Sequence, residues 1–355
     1  MKRVLFFMAA IAMIFISCSE DSNEIQQQET NIDMSDFYVY TDADMDEGSR
    51  SANSKSCYSM VNLNRLLNQN PGLEKKMYDI EYHTRALIAG KKPDGVGGGN
   101  GNGGGNGGDD GGGDPDPGDN LGTITIPVYV HVVYSNSQEN ISDSQINSQM
   151  TVLNDDFRRT NNDANQTPSE FSGVAADSEI EFTLAGTFRH ADSRTSWGTN
   201  DAVKFAYPPV TPESHLNIWV CNIGGNILGY AQFPGGPAAT DGVVVSPQYF
   251  GTTGTATAPF DGGRTTTHEV GHYLNLRHIW GDGRCNRDDF VADTPRSDRP
   301  NYGCPTSAYH CRSNDQFMNY MDYTNDDCMN MFSTGQKARM RALFEAGGAR
   351  ENILP

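Results

Sequence analysis

The pattern of apolar and polar residues divides the first third of the chain into four stretches. Residues 4–16 form a continuous apolar run that is too short to span a membrane. Residues 19–55 are polar without a sustained period and predict a tether. Between residues 57 and 92, apolar residues recur at helical spacing on both sides of Asn70-Pro71-Gly72, which predicts a small helical hairpin. Residues 93–120 are rich in Gly, Asn and Asp and predict a flexible linker, because they cannot bury enough apolar surface to order themselves.

After the linker, residues 121–355 predict one globular domain. Strands are expected at residues 123–134, 180–186, 216–222 and 242–246, and helices at residues 142–154, 263–275 and 334–345. Residues 229–236 predict an edge strand that ends in a turn, because Pro is tolerated only at such an edge. Residues 276–333 have little regular pattern, so disulfides and ions would have to hold them.

Composition narrows the class of protein. The chain has 355 residues, of which 36% are hydrophobic, and this is enough for one large core with accessory segments. Its formal net charge of −19 argues against nucleic acid as a partner, because phosphate binding needs clustered Lys and Arg. The seven cysteines fit an exported protein.

The first 18 residues predict a lipoprotein-type signal peptide. Lys2 and Arg3 precede the apolar run, and Ser17-Cys18 follows it. A Cys directly after a small residue resembles a bacterial lipobox, in which a lipid on Cys18 would anchor the protein to a membrane. Phe15 stands where Leu is more usual, so cleavage by an ordinary signal peptidase stays open. We expect an outer-membrane or cell-surface lipoprotein, or secretion after processing.

A zinc-binding pattern begins at His268. On a helix, His268 and His272 lie on one face and can offer ring nitrogens to one ion, while Glu269 can act as the general base for a water on that ion. His278 can be the third ligand if the chain turns sharply after Asn275, a residue type that tolerates the left-handed conformation. A His-rich amphipathic helix can carry the first two histidines by chance, but the third His and Met321 downstream form the metzincin signature.

The runs HEVGHYLNLRHIWGDG, DDFVADTP, FMNYMDYTNDDCM and FSTGQKARM closely resemble the pappalysin family of metzincin zinc peptidases, in its bacterial ulilysin-like branch. The resemblance covers most of residues 121–355, although Asn275 replaces the usual Gly of the signature. It implies an α+β fold of the metzincin type. This fold has a twisted mixed sheet with an edge strand over the cleft, an active-site helix and a loop-rich C-terminal half, and here a small helical pro-segment precedes it.

The resemblance also implies roles for residues around the zinc. Tyr323 would stabilise the oxyanion, with a buried structural Tyr as the other interpretation. Met321 would form an apolar floor under the metal. The edge strand would bind substrate by backbone pairing, which brings Gly229, Tyr230 and Ala231 near the cleft, unless they only pack as an ordinary strand.

Four cysteines cluster around the active-site loops, and their sequence positions allow three connectivities. The resemblance implies the pairs Cys285–Cys311 and Cys304–Cys328.

Carboxylates between residues 282 and 294 suit Ca²⁺. The resemblance implies that Asp289 binds this ion through its side chain, and Val291 and Thr294 through their carbonyls. A solvated acidic loop is the alternative. Asp327 matches an acidic residue in the pocket for the residue after the scissile bond, which implies a preference for Arg or Lys there.

Cys57 lies in front of the catalytic domain, where its thiolate can occupy the open zinc position and keep the enzyme latent. A disulfide with Cys221 is the rival interpretation.

The sequence thus predicts a zinc endopeptidase made as a zymogen, with a tether and pro-segment over residues 19–92 that could be removed at Lys91-Lys92 or Arg85. The expected cofactors are Zn²⁺ and Ca²⁺, the expected partners are protein or peptide substrates, and we expect a monomer with membrane contact only through the lipid. The alternative is a catalytically silent surface binding lipoprotein with a structural zinc.

Overall fold

The computed structural model describes residues 32–42, 57–90 and 119–354. The helices are α1 (Ser59–Gln69), α2 (Leu73–Gly90), α3 (Asp143–Phe157), α4 (Ser169–Ser172), α5 (Ala202–Ala206), α6 (Arg264–Tyr273) and α7 (Thr334–Ala342). The strands are β1 (Ile124–Tyr134), β2 (Ala175–Ala176), β3 (Ile180–Ala191), β4 (Leu216–Val220), β5 (Gly229–Ala231), β6 (Val243–Val245), β7 (Tyr309–His310), β8 (Ser313–Asn314) and β9 (Phe332–Ser333). The predicted signal peptide, Cys18 and most of the predicted linker lie outside the described residues. Within the described residues, no helix is long and apolar enough to cross a membrane.

The main sheet has five strands in the order β3-β1-β4-β6-β5. Neighbouring strands are parallel except for β5, which pairs antiparallel with β6 at one edge. All five residues of β4 are buried, as expected for a parallel strand that is covered on both faces. The predicted mixed sheet with a separate edge strand is therefore confirmed.

Alternation along the strands produces two cores. Val243 and Val245 of β6 belong to the larger core, which lies between the sheet and α3, α6 and α7. Val244 points to the opposite face, where it joins Trp219 and Tyr230. Helix α6 packs beneath β5 and β6, so the edge strand borders the predicted zinc helix.

The predicted helices and strands are present, although several begin or end at residues other than those predicted. Helix α3 begins after Ser142, whose hydroxyl accepts a hydrogen bond from the Gln145 amide. Strand β3 continues five residues beyond the predicted end at residue 186, because it stays paired with β1 as far as Ala191. Such long-range pairing leaves no local signal in the sequence.

The predicted helical hairpin is formed by α1 and α2. Its apolar face builds a core of its own, to which Phe233 of the following domain contributes. Buried members from the hairpin are Met60, Leu63, Leu66, Leu67, Leu73 and Met77.

The prediction of a tether over residues 19–55 is wrong for residues 32–42. The side chain of Val39 is buried in the hairpin core. The hydroxyl of Tyr38 donates to the carbonyl of Gly281 and, at 2.8 Å, to that of Asp288. Two residues are enough to dock this short polar segment, so its sequence does not show the repeating apolar pattern of a helix or a strand.

Residues 276–333 have little regular structure, as expected, and two disulfides cross them. The pairs are Cys285–Cys311 and Cys304–Cys328, the connectivity that the resemblance implies. Cys57 and Cys221 are both free and buried, so the rival disulfide between them is not formed.

Candidate metal centre

Helix α6 carries His268 and His272, the first two predicted ligands, and it ends at Tyr273, just before the turn predicted at Asn275. Asn275 has φ 68°, in the left-handed region, and the amide of Leu276 returns to the Gly271 carbonyl at 2.9 Å. This turn closes the helix and directs the following residues back beneath it. As a result, His278 meets His268 and His272.

The three histidines converge through one atom each. The Nε2 atoms of His268, His272 and His278 lie 3.1–3.2 Å from one another, and all three side chains are buried. Nitrogen ligands at tetrahedral positions around zinc, with Zn–N near 2.05 Å, are separated by about 3.3 Å. The imidazoles therefore fit a single zinc ion.

The opposite ring nitrogens fix the orientation of each imidazole. The Nδ1 atoms of His268 and His272 lie 2.6 Å and 2.8 Å from the carbonyl oxygens of Tyr320 and Leu276. A carbonyl can only accept, so each Nδ1 carries the proton and each Nε2 keeps its lone pair for a metal. The Nδ1 atom of His278 lies 2.5 Å from Oδ1 of Asp282, a carboxylate that acts in the same way.

Cys57 brings a fourth potential donor atom beside the three imidazoles. Its Sγ atom lies 3.5 Å from Nε2 of His272, and the four donor atoms form one buried group. Sulfur and nitrogen ligands of a tetrahedral zinc are separated by about 3.5 Å. Without an ion, burial and then the charge of Glu269 raise the pKa of the Cys57 thiol well above its ordinary value, so a thiolate here requires a cation beside it.

Glu269 is tied to the same pro-segment. The hydroxyl of Ser59 donates to Oε2 of Glu269 at 2.6 Å and accepts from the amide of Ala231 at 2.7 Å. Gly229 allows the carboxylate to lie against the edge strand, because a side-chain carbon there would be 3.0 Å from Cγ of Glu269. One serine of α1 thus bridges the carboxylate and the strand.

Met321 and Tyr323 lie beside the histidines. A Cβ atom on Gly271 of α6 would be 2.4 Å from the sulfur of Met321, so Met321 packs directly under the zinc helix. The ring of Tyr323 is 4.9 Å from that of His278, and its hydroxyl donates to the carbonyl of Cys57 at 3.4 Å. The Tyr323 hydroxyl is thus directed at a peptide carbonyl next to the metal ligands.

The edge strand β5 contacts the pro-segment through its backbone. The carbonyl of Gly229 accepts from the amide of Tyr58 at 3.1 Å, and the carbonyl of Ala231 accepts from the side chain of Asn62 at 3.0 Å. The side chain of Tyr230, by contrast, is fully buried on the face away from α6. Gly229 and Ala231 therefore present their backbone groups to residues 58–62, while the Tyr230 side chain packs on the opposite face of the sheet.

Asp327, which the resemblance assigns to the pocket for the residue after the scissile bond, lies in a short 3-10 helix, Asp326–Cys328, with its side chain exposed. The neighbouring Asp326 is buried instead, and its Oδ2 atom accepts from the amides of Gly262 and Arg264 at 2.9 and 3.2 Å. Asp326 thus caps the start of the zinc helix from a distance, a role that no local motif signals.

The acidic run of residues 282–294 separates into different roles. Asp282 bonds His278, Asp288 pairs with Arg296, and Asp293 accepts from Ser333 and Gly335 at the start of α7. Asp289 is buried, and its Oδ1 atom accepts from the Val291 amide and the Thr294 hydroxyl. Burial and the adjacent Asp288 raise the pKa of Asp289 well above its ordinary value, so a cation would favour the ionised form. The residues of the expected calcium site lie together, and the other carboxylates of the run have protein partners.

Comparisons with known proteins agree with this geometry. A peptidase family model described as pregnancy-associated plasma protein-A matches residues 211–345. An extracellular metalloprotease of Arthroderma otae is 33% identical over 233 residues, which are 63% of this chain and 78% of that protein. Extracellular metalloprotease 1 of Coccidioides posadasii is 34% identical over 240 residues, covering 63% of this chain and 79% of that protein.

Two solved structures are also similar. Mature mirolysin of Tannerella forsythia in complex with a cleaved peptide is 48% identical, with a TM-score of 0.63, and covers 65% of this chain and 96% of that chain. A promirolysin mutant of the same organism is 40% identical, with a TM-score of 0.70, and covers 84% of this chain and 97% of that chain. The match to the pro-form thus covers more of this chain than the match to the mature form. Together with the three converging imidazoles, these similarities establish that the chain belongs to the pappalysin family of zinc metallopeptidases.

Proposed function

We propose that the protein is an extracellular zinc endopeptidase made as a zymogen, in which Cys57 of the pro-segment closes the metal site. The observation that carries the proposal is a set of four donor atoms. The three Nε2 atoms are 3.1–3.2 Å apart, as around one tetrahedral zinc, and Sγ of Cys57 lies 3.5 Å from Nε2 of His272 and within 4.8 Å of the other two ligand atoms. The names of the relatives support the extracellular location.

Each residue of the centre has a proposed task. His268, His272 and His278 would hold Zn²⁺, which when bound lowers the pKa of a water towards about 7 and polarises the scissile carbonyl. Glu269 takes the proton of the attacking water and delivers it to the leaving amine. The hydroxyl of Tyr323 donates a hydrogen bond to the developing oxyanion, as it now does to the carbonyl of Cys57.

The pro-segment would keep the enzyme latent in three ways. Cys57 occupies the metal position that water needs, Ser59 engages the Glu269 carboxylate, and Tyr58 and Asn62 take backbone groups of β5 that a substrate would use. Activation then requires removal of residues 19–92. Arg85 is a poor processing site, because it lies inside α2 and is paired with Glu81 and Asp36. We place processing after Lys91-Lys92 or within the linker, in residues outside the described part of the chain.

A surface binding protein with a structural zinc is the competing function. A closed set of three His and one Cys is the arrangement that favours it, since structural zinc sites are usually closed. The fourth ligand, however, belongs to the segment whose removal we propose. A structural site would also have no use for Glu269 beside the ligands.

Hydrolysis of casein by processed, zinc-loaded protein tests the proposal. The wild type should cleave casein, and Glu269→Ala should bind zinc equally but lose at least about 100-fold in rate. Asp261→Ala, in the loop before α6, is the matched control and should keep its activity. Equal rates for wild type and Glu269→Ala, or no cleavage by any processed zinc-loaded sample, would eliminate the peptidase.

Finer assignments belong to the same proposal. Asp289, Val291 and Thr294 would hold Ca²⁺, supported by the buried Asp289 carboxylate. Asp327 would favour Arg or Lys after the scissile bond. Because its side chain is exposed, the substrate itself would have to cover it to form a closed pocket. Export through residues 1–18, with or without a lipid on Cys18, remains a prediction from the sequence.

A further inference from the structure

One contact of the pro-segment lies outside the catalytic residues. Arg65 of α1 forms an ion pair with Oδ2 of Asp201, an aspartate of the catalytic domain. The Asp201 side chain is fully buried, whereas that of Arg65 keeps 23% of its surface exposed. The guanidinium therefore covers the carboxylate from the solvent side.

Asp201 also contacts a buried lysine of its own domain. Its backbone is left-handed, with φ 62°, and it precedes the first residue of α5. Its other oxygen, Oδ1, lies 3.1 Å from the ammonium of Lys204, which is itself fully buried and bonded to the carbonyls of Thr240 and Gly242. Lys204 thus engages one carboxylate oxygen, and Arg65 engages the other.

The ion pair lies next to the residues of the pro-segment that bond to the edge strand. Tyr58, Ser59 and Asn62 bond in turn to Gly229 and Ala231, and Arg65 follows one helical turn after Asn62. The guanidinium also donates to the Asn62 side chain. Arg65 is therefore connected through Asn62 to the same backbone edge that a substrate would pair with.

Asp201 lies near the sheet face that points away from α6. The ammonium of Lys204, 3.1 Å from Oδ1 of Asp201, is 5.0 Å from the centre of the Tyr230 ring, which packs on that face with Trp219 and Val244. Side chains of a peptide paired with β5 would alternate between this face and the zinc side. Asp201 would meet a side chain that points away from the metal.

We propose that Asp201 is the floor of a second subsite, which binds an Arg or Lys side chain of the substrate after the pro-segment has left. This inference rests on the proposed peptidase function. In the zymogen, Arg65 would fill that subsite. Once the pro-segment is removed, Oδ2 of Asp201 could accept a charge-assisted hydrogen bond from a basic side chain of the substrate. The subsite is separate from Asp327, which lies in the C-terminal half of the domain.

The test uses processed enzyme and pairs of fluorogenic peptides that carry either Arg or its uncharged analogue citrulline at one position at a time. Outside the residues that flank the cut, one position should show kcat/KM about tenfold higher for Arg. Asp201→Asn should remove this preference, so that the ratio of kcat/KM between the Arg and the citrulline peptide falls to about one. Asp143→Asn removes an exposed carboxylate beside Arg189, on the far edge of the sheet, and should keep the preference.

Two results would overturn the inference: an Arg preference that survives in Asp201→Asn, or cleavage by the wild type with no such preference. If Asp201→Asn fails to fold because Lys204 loses its partner, the double variant Asp201→Asn/Lys204→Met removes both buried charges and takes its place. Failure of the wild type to cleave any peptide would overturn the peptidase function as well, so the two failures are distinguishable.

Discussion

The Sγ atom of Cys57 and the Nε2 atom of His272 lie 3.5 Å apart, although 215 residues separate them in the chain. Three donors of the metal centre belong to the catalytic domain, and the fourth belongs to the pro-segment. In the proposed zymogen the fourth position is the one that catalysis needs, so the contact that completes the site would also block it.

Replacement of Cys57 by alanine should relieve latency in the unprocessed chain. The fourth metal position then becomes available to water, so casein hydrolysis should rise by about tenfold or more over the unprocessed wild type. The rise should stay below the level of processed enzyme, because Ser59 and Asn62 still occupy Glu269 and the edge strand. Cys221→Ala is the matched control, since Cys221 is the other free buried cysteine. An equal effect of both substitutions would contradict the switch.

Glu81 of α2 should make the attachment of the pro-segment depend on pH. It forms a buried ion pair with Arg339 of α7. Burial alone would raise the pKa of Glu81, but Arg339 and Arg85 outweigh it and lower this pKa from 4.5 to about 2. The stabilisation is therefore complete above pH 4.5 and is lost as the pH falls towards 2.

The variant Glu81→Gln should lower the free energy of unfolding of the full chain by about 3 kcal/mol or more at neutral pH, because it leaves Arg339 buried without its partner. The difference from the wild type should shrink as the pH falls through this range. Urea unfolding at several pH values measures it, with the exposed Glu74→Gln on the same helix as the control. A difference that is constant with pH would contradict the linkage.

Asp282 should control zinc affinity through His278. Its carboxylate holds the Nδ1 proton of that ligand, and loss of such a partner typically weakens metal binding by about 10- to 100-fold. Competition with a zinc chelator should show this loss in Asp282→Asn. The same change at Asp288, which pairs with Arg296 in the same loop, should leave zinc affinity unaltered. Equal affinities for the two variants would exclude the role of Asp282.

Gly271 should not tolerate a methyl group. In an ordinary helix interior, Gly→Ala stabilises by about 0.5–1 kcal/mol. Here the new carbon would lie 2.4 Å from the sulfur of Met321, so Gly271→Ala should instead cost about 1–3 kcal/mol. Thermal unfolding measures the sign. Gly173→Ala, with no atom within 4 Å of the new carbon, is the matched control, and a stabilised Gly271→Ala would contradict the packing.

The sequence predicted those features that depend on neighbours in the chain. The helical spacing of His268 and His272 and the left-handed preference of Asn275 follow from local geometry, and Asn275 does adopt that conformation. The hairpin and the edge strand were predictable from period and turn residues for the same reason.

Contacts between distant segments were not predictable. Nothing near Ser59 or Arg65 indicates that these side chains reach Glu269 and Asp201. Asp282 was grouped with the acidic run because its partner, His278, becomes a neighbour only after the chain turns at Asn275. Asp326 and Asp327 look alike in sequence, and the fold alone decides that the first caps a helix and the second is exposed.

Zinc K-edge X-ray absorption on the unprocessed and processed forms tests the central claim most directly. The account predicts three nitrogen ligands and one sulfur at about 2.3 Å in the unprocessed chain, and loss of the sulfur after processing and in Cys57→Ala. A first shell without sulfur in the unprocessed chain, or with sulfur retained after removal of the pro-segment, would contradict it.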